Sequence, residues 1–342
     1  MHHSFNKLGW SNLEKDPLKF AVVGLGKMGL LHSGILNVLP GVKLAGVCEA
    51  TPLTRRIVKK VLRKIPVVED VSELSSLDLD ALFITTPTST HYSVARTALE
   101  SKIADNIFVE KPLSNSYAES RDLGDLMSGK GVSMVGYVRR FMVTFMKGKE
   151  LLSQGVIGTP VSFKINMSSS DFFGIHDPAV SIARGGVLKD LGCYPIDLIL
   201  WYFGEFSIEK ATSEALTGPG AVDSVRFHIN GYGSIPPGEV FVSWCAEGYR
   251  MPEVEFLIIG SKGTLMVNDD YVKLDIGGAI STFYRLNLND NTAFWLGSPE
   301  YYREDEFFVH AVEKKINGQP SFASAARVEL VIEEVEKKAN SK

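Results

Sequence analysis

The sequence predicts an α/β protein in two parts: an N-terminal parallel sheet covered by helices on both faces, then an α+β region built on an open, mostly antiparallel sheet. Three observations carry this. Short apolar runs alternate with helical segments from Leu18 to about Tyr137. The first run breaks directly into glycines at Gly24, Gly26 and Gly29, in KFAVVGLGKMG. Beyond Arg140, strand-like runs separated by Gly, Pro and Asn turns take over.

Taken in order, the strands of the first part are Phe20 to Val23, Leu44 to Val47, Val67-Val68, Ala81 to Thr85, Ile107 to Val109 and Ser133 to Val135. Helical segments fall at Met28 to Leu39, Thr51 to Lys64, His91 to Leu99 and Ala118 to Met127. This βαβ series implies a parallel sheet, with the ligand at the carboxyl ends of its strands. In the second part, helical Val143 to Leu152 and Leu188 to Phe203 lead into strands. These strands are Val161 to Met167, Ser224 to Ile229, Val240 to Trp244, Val254 to Ile259, Thr264 to Val267 and Val272 to Ile276. Helices Glu304 to Ile316 and Ala325 to Ala339 close the chain.

The glycine turn has a physical reading. Gly24 makes the tight turn, Gly26 leaves room for a pyrophosphate, and Gly29 lets the next helix, opened by Lys27 and Met28, approach the sheet with its amides facing the anion. About 20 residues further on, the run Val42 to Val47 ends at Cys48-Glu49, the place of the acid that grips an adenosine ribose. The first part is therefore a Rossmann domain that binds a dinucleotide. Glu49 favours NAD, because a carboxylate repels a 2′-phosphate; Arg55 and Arg56 in the next helix leave NADP open. The expected division is an N-terminal arm (1–17), the Rossmann domain (18–138) and a substrate-binding, oligomerising domain (139–342), whose last helix packs back on the Rossmann domain.

A chain of 342 residues suits two domains and two cores. With 45% apolar and 22% charged residues and a formal net charge of −4, it has no basic excess to hold nucleic acid. No apolar run approaches the roughly 20 residues of a membrane span, and no signal pattern opens the chain, so a cytoplasmic protein without a membrane partner is expected. The three cysteines, Cys48, Cys193 and Cys245, form neither a disulfide framework nor a metal knuckle, and no metal is expected. The arm, with Phe5, Leu8, Trp10 and Leu13, docks on the body or on a partner subunit, or is in part an appended tail. The broad second sheet needs a cover on its outer face, which predicts a homodimer or homotetramer.

Two segments carry chemistry. Glu110-Lys111-Pro112 follows a strand and sets a lysine at the cofactor edge of the sheet, where Thr86 and Pro87 also fall; a cis bond at Pro112 would aim Lys111 inward. Further on, GGVLKDLGCYPID spaces Asp190, Tyr194 and Asp197 at i, i+4 and i+7, one polar stripe if the helix is continuous, and a capped helix with a solvated face otherwise. His91 either touches cofactor or substrate or caps its helix. His176, in a loop with Asp177, is placed to line a substrate pocket or lies in solvent. Of Arg139 and Arg140, one braces the domain junction and the other reaches substrate. His310 is read as packed. Phe283, Tyr284, Trp295, Tyr301 and Tyr302 form an aromatic wall for a sugar ring or serve packing.

These motifs, GLGKMG with Glu49, TPTSTH, VEKPLS, GYVRRF, GGVLKDLGCYPID and IIGSKGTL, stand in an order that resembles the family of glucose-fructose oxidoreductase, inositol dehydrogenase and rhizopine-catabolism proteins, from residue 18 to about 335. The resemblance implies a hydride-transferring enzyme acting on a sugar or polyol, with the EKP lysine at Lys111 and the acid of the LxDxG segment at Asp190. Where many members place a catalytic histidine, this chain has Tyr194, in the form GCYP. That form is similar to the branch of xylose and dihydrodiol dehydrogenases, in which tyrosine is the acid–base group and NADP is often used. Bringing a phenol from near pKa 10 to ~7–8 takes roughly 3–4 kcal/mol, expected here from the Lys111 ammonium and the nicotinamide. Asp197 is expected to bind a further hydroxyl. The alternative is a non-catalytic dinucleotide or sugar sensor on the same scaffold, which has no need of a lysine–tyrosine pair.

Overall fold

A computed structural model describes residues 16–233, 235–291 and 299–341. The arm up to residue 15 and Trp295 lie outside these residues. The first part runs β1 (Leu18–Val23), α1 (Lys27–Leu36), β2 (Val42–Cys48), α2 (Pro52–Val61), β3 (Val67–Val68), β4 (Ala81–Ile84), α3 (Thr88–Glu100), β5 (Asn106–Glu110), α4 (Tyr117–Met127) and β6 (Ser133–Gly136). Its six strands are parallel in the order β3-β2-β1-β4-β5-β6. The order reverses between β1 and β4, so the crevice of a doubly wound sheet opens beside the glycine turn.

The second part comprises α5 (Val143–Ser153), β7 (Pro160–Ser168), α6 (Pro178–Ala183), a π-helical turn at Leu188–Gly192, α7 (Cys193–Phe203), β8 (Ser207–Glu214), β9 (Ser224–Asn230), β10 (Gly238–Ser243), β11 (Glu253–Gly260), β12 (Thr264–Asn268), β13 (Tyr271–Ile276), β14 (Ala279–Tyr284), α8 (Pro299–Lys314) and α9 (Phe322–Asn340). The sheet has eight strands, ordered β14-β13-β12-β11-β7-β10-β9-β8, antiparallel except where β10 pairs with β7. The edge strands β8 and β14 escape the sequence reading because burial has little grip on them: in β8 only Ile208 is buried, and β14 has no buried residue. The short helix α6 was likewise not anticipated.

The two expected cores exist but divide differently. Alternation along β1 sends Phe20 and Val22 to one face of the parallel sheet and Ala21 and Val23 to the other. The Phe20 face forms one core, closed by Phe308, Val309 and Val312 of α8. The Ala21 face belongs to a second core that continues without a break through Tyr137, Ile196 and Ile199 to Ile165, Val240 and Phe256 of the eight-stranded sheet. The boundary between cores is the parallel sheet itself, not the junction between the two parts. Both closing helices return to the first part, α8 against α1 and α9 between α4 and β8. No described helix is long and apolar enough to cross a membrane.

Candidate active site

The glycine turn is built as the spacing requires. Gly24 has φ of +87°, and a Cβ there would lie 2.8 Å from the Thr86 methyl carbon; one on Gly29 would lie 1.9 Å from the Gly24 carbonyl oxygen. A Cβ on Gly26 would meet nothing within 4 Å. Gly26 is also the N-cap of α1, so Lys27, Met28 and Gly29 form a first turn whose amides lack helical acceptors. Thr85 Oγ1 ties this turn to β4 by donating to Gly24 O at 2.6 Å. Beside it, Thr86 Oγ1 is buried without a partner next to Pro87.

Glu49 stands at the end of β2, where one carboxylate oxygen accepts the Leu25 N–H at 2.8 Å and the other the Thr51 N–H at 2.7 Å. Burial works to raise its pKa, but these two amides outweigh it and hold the carboxyl below the usual range. In this structure Glu49 clasps the turn directly. Arg55 is engaged by the carbonyls of Glu49 and Ala50 and by Glu69, whereas Arg56 is exposed.

At the end of the neighbouring strand β5, Lys111 Nζ donates to Asp190 O at 2.7 Å and lies 3.3 Å from Asp190 Oδ1. The Lys111–Pro112 bond is cis. Burial pulls the ammonium down, but Cys193, Asp190 and Glu110 together hold it above its ordinary value, so Lys111 stays charged. Its Nζ is 4.9 Å from the centre of the Tyr194 ring, and the Arg139 guanidinium is 4.6 Å from the same ring. The Tyr194 and Tyr137 rings form a T-shaped pair. Asp190 lies in the π-helical turn before α7, so it and Tyr194 are not in plain i, i+4 register.

Several expectations are corrected by this geometry. Burial pushes the Tyr194 phenol well above its ordinary value, and Arg139, rather than Lys111, is the leading cation pulling it down. Asp197 is 1% exposed and accepts from Arg140 Nε at 2.8 Å and Nη2 at 2.6 Å, so it does not face the crevice. His91 is buried behind the site, with its ring nitrogens 2.8 Å from Pro112 O and 2.7 Å from Thr86 O. Burial holds its imidazole below the ordinary value, against the pull of both carbonyls. Glu110 turns its carboxylate away from the crevice toward His32 and the Lys111 amide. His176 is exposed, and Asp177 caps α6. Of the described aromatic residues, Phe283 and Tyr284 lie on β14 and Tyr301 and Tyr302 on α8, with the Tyr301 ring against His32.

Arg184 was missed. It follows α6, bonds Asp190 Oδ2, and reaches Asp171 at 2.9 Å, so Asp190 is shared between two cations. Its one sequence signal is its place immediately before Gly185-Gly186.

Comparison with known proteins decides the family. Residues 18–137 match the model described as "Oxidoreductase family, NAD-binding Rossmann fold", and residues 145–266 match the GFO/IDH/MocA C-terminal domain. The chain belongs to the GFO/IDH/MocA oxidoreductase family. It is 30% identical to scyllo-inositol 2-dehydrogenase (NAD(+)) of Bacillus subtilis (strain 168) over 263 residues, 73% of each chain. It is 24% identical to inositol 2-dehydrogenase of Rhizobium meliloti (strain 1021), over 89% of this chain and 91% of that protein. The fold matches a levoglucosan dehydrogenase solved with NADH and levoglucosan, with TM-score 0.80 and 23% identity, covering 94% of this chain and 97% of the other.

The crevice of this oxidoreductase fits NAD on its own geometry. The open space at Gly26, the first turn of α1 and the unpartnered Thr86 hydroxyl line one side. Lys111, at the end of the neighbouring strand β5, continues this edge and brings Asp190 and Tyr194 against it.

Proposed function

We propose that this NAD-dependent oxidoreductase is a dehydrogenase of a sugar, polyol or related hydroxyl compound, with Tyr194 as acid–base group, Lys111 as its cationic partner and Asp190 as the anchor of Lys111. One observation carries the reading: a buried tyrosine ring flanked by two cations, half-buried Lys111 and buried Arg139, near the strand ends that carry the glycine turn. The inositol dehydrogenases among its relatives support a polyhydroxy substrate.

When bound, NAD supplies the hydride acceptor. Tyr194 takes the proton of the substrate hydroxyl as the carbon loses hydride, and returns it in reduction. The raised pKa keeps Tyr194 protonated and ready to donate at neutral pH; it serves as base only where positive charge gathered around it offsets burial and stabilises the phenolate. Lys111 and Arg139 supply that charge from this chain. Asp190 sets where the Lys111 ammonium sits, and Arg184 holds Asp190 from the solvent side.

Gly24, Gly26, Lys27, Met28, Gly29, Glu49, Thr86 and Pro87 are assigned to the cofactor; Lys111, Arg139, Asp190 and Tyr194 face substrate. Asp197 and His91 brace from behind. A second copy of the chain seated on the outer sheet face, where Phe241, Leu257 and Met266 are half-buried between charged residues, completes the expected assembly. Lys111→Met tests the pair: turnover of sugars, inositols and polyols should fall by at least about 100-fold while NAD affinity changes less than about threefold. Wild-type turnover in this variant removes Lys111 from the mechanism. Tight NAD binding by the unaltered chain without turnover of any hydroxyl compound points to the sensor.

A further inference from the structure

Behind the reacting groups runs a line of buried charge that no step above uses. His32, on α1 three residues beyond Gly29, is 0% exposed. Its Nδ1 is 2.8 and 2.9 Å from the two carboxylate oxygens of Asp305 on α8, and its Nε2 is 3.1 Å from Glu110 Oε1 on β5. The other oxygen of Glu110 accepts the backbone N–H of Lys111 at 3.0 Å. Both ring nitrogens meet carboxylates, an arrangement that only the imidazolium fills with a donor on each side. Burial works against that charge, but Asp305 and Glu110 outweigh it and hold the imidazole well above its ordinary value.

The other groups around the imidazole come from β4, β5 and α8. Phe83, Phe108 and Tyr301 place their rings 5.4, 5.2 and 6.2 Å from it. Glu304 of α8 is fully buried with neither carboxyl oxygen hydrogen-bonded. Burial and the nearby Glu110 push the Glu304 carboxyl well up from its ordinary value. The cluster therefore sets the imidazole between two carboxyl groups, one on α8 and one on β5. Buried ion groups of this kind add little stability over apolar packing. What this one does, and a leucine could not, is fix an oxygen on the amide of Lys111.

We propose that His32 is a positioning residue for Lys111: clamped by Asp305, it fixes Glu110, whose second oxygen holds the Lys111 backbone, and it thereby ties the lysine to the seating of α8 on the helix that opens the cofactor turn. The neighbouring backbone groups are held in the same manner. Pro112 O faces His91 Nδ1 at 2.8 Å, and the Leu113 N–H donates to Glu329 Oε1 at 3.1 Å. Buried side chains from α1 through Glu110, from α3 and from α9 thus grip three successive residues of the lysine loop.

The proposal rests on Lys111 belonging to the acid–base pair, so its test has one arm that needs no substrate. In the full chain bearing His32→Asn, the Lys111 amide should exchange with deuterium about tenfold faster, with the amides of β5 unchanged. In the second arm, kcat should fall about tenfold or more while KM for NAD stays within about threefold, because a displaced lysine costs chemistry and not cofactor binding. If His32→Asn does not fold, Asp305→Asn keeps the His32–Glu110 contact and should act in the same direction, more weakly. Unchanged Lys111 exchange in a folded variant overturns the proposal. Faster exchange in a chain whose unaltered form turns over no hydroxyl compound upholds the clamp and overturns the dehydrogenase reading instead.

Discussion

Tyr194 gains its character from what lies against its ring. Two cations, 4.9 and 4.6 Å from the ring centre, favour the phenolate, while burial favours the phenol, and burial wins in the structure as it stands. Glu49 is a second residue whose role depends on competition. Its carboxylate is held by Leu25 and Thr51, close enough to the glycine turn to oppose a 2′-phosphate. Glu49→Ser should therefore shift the ratio of NAD to NADP turnover toward NADP by about tenfold, read from initial rates with each cofactor; an unchanged ratio shows that another residue discriminates. Lys111, Asp190 and Tyr194 were legible in the sequence because short motifs at element ends carry them. The surroundings of Asp197 and His91 were not, because their partners, Arg140 and the carbonyls of Thr86 and Pro112, are brought to them only by the fold.

At the scale of elements, α8 and α9 hold the lysine loop from opposite sides. Glu329 of α9 accepts the Leu113 N–H, and burial pushes its pKa from 4.5 up to about 8. Below pH 8 the folded chain carries a proton on Glu329 that the unfolded chain has already lost above pH 4.5. Folding takes up a proton across that window, so this group lowers stability as pH climbs from 4.5 to 8, and its cost is complete above 8. Glu329→Gln cannot ionise and keeps an acceptor for Leu113. Its melting temperature should gain on that of the unaltered chain between about pH 6 and 8.5, by the equivalent of a few kcal/mol, since each tenfold change in proton affinity is worth roughly 1.4 kcal/mol. Parallel melting curves across that range would contradict the assignment. The five longer parallel strands were legible because each has buried residues on both faces. The edge strands β8 and β14 were not, because hydrogen bonds to one neighbour hold them while few of their side chains are buried.

The whole molecule places one site between two sheets and anchors it through a core that ignores the junction. The apolar cluster beneath β1 and β4 continues through α7 into the eight-stranded sheet, so the glycine turn and Tyr194 are held by one packed body. The buried Arg140–Asp197 pair, at 2.6 and 2.8 Å, bridges the segment after β6 to α7. The sequence led to the expectation of a core for each part, because apolar periodicity marks which residues are buried but not which other element buries them. The central claim is that Tyr194, held in this body, takes up the substrate's proton in oxidation and returns it in reduction. Its most direct test is the pH dependence of NAD reduction, across sugars, inositols and polyols, for the unaltered chain and Tyr194→Phe, with NAD affinity measured in both. With a phenol of raised pKa as the base, the rate should climb with pH through neutrality, by up to about tenfold per pH unit. Tyr194→Phe should fall by at least about 100-fold with its NAD affinity kept. A Tyr194→Phe variant that keeps both the rate and the climb would contradict the account.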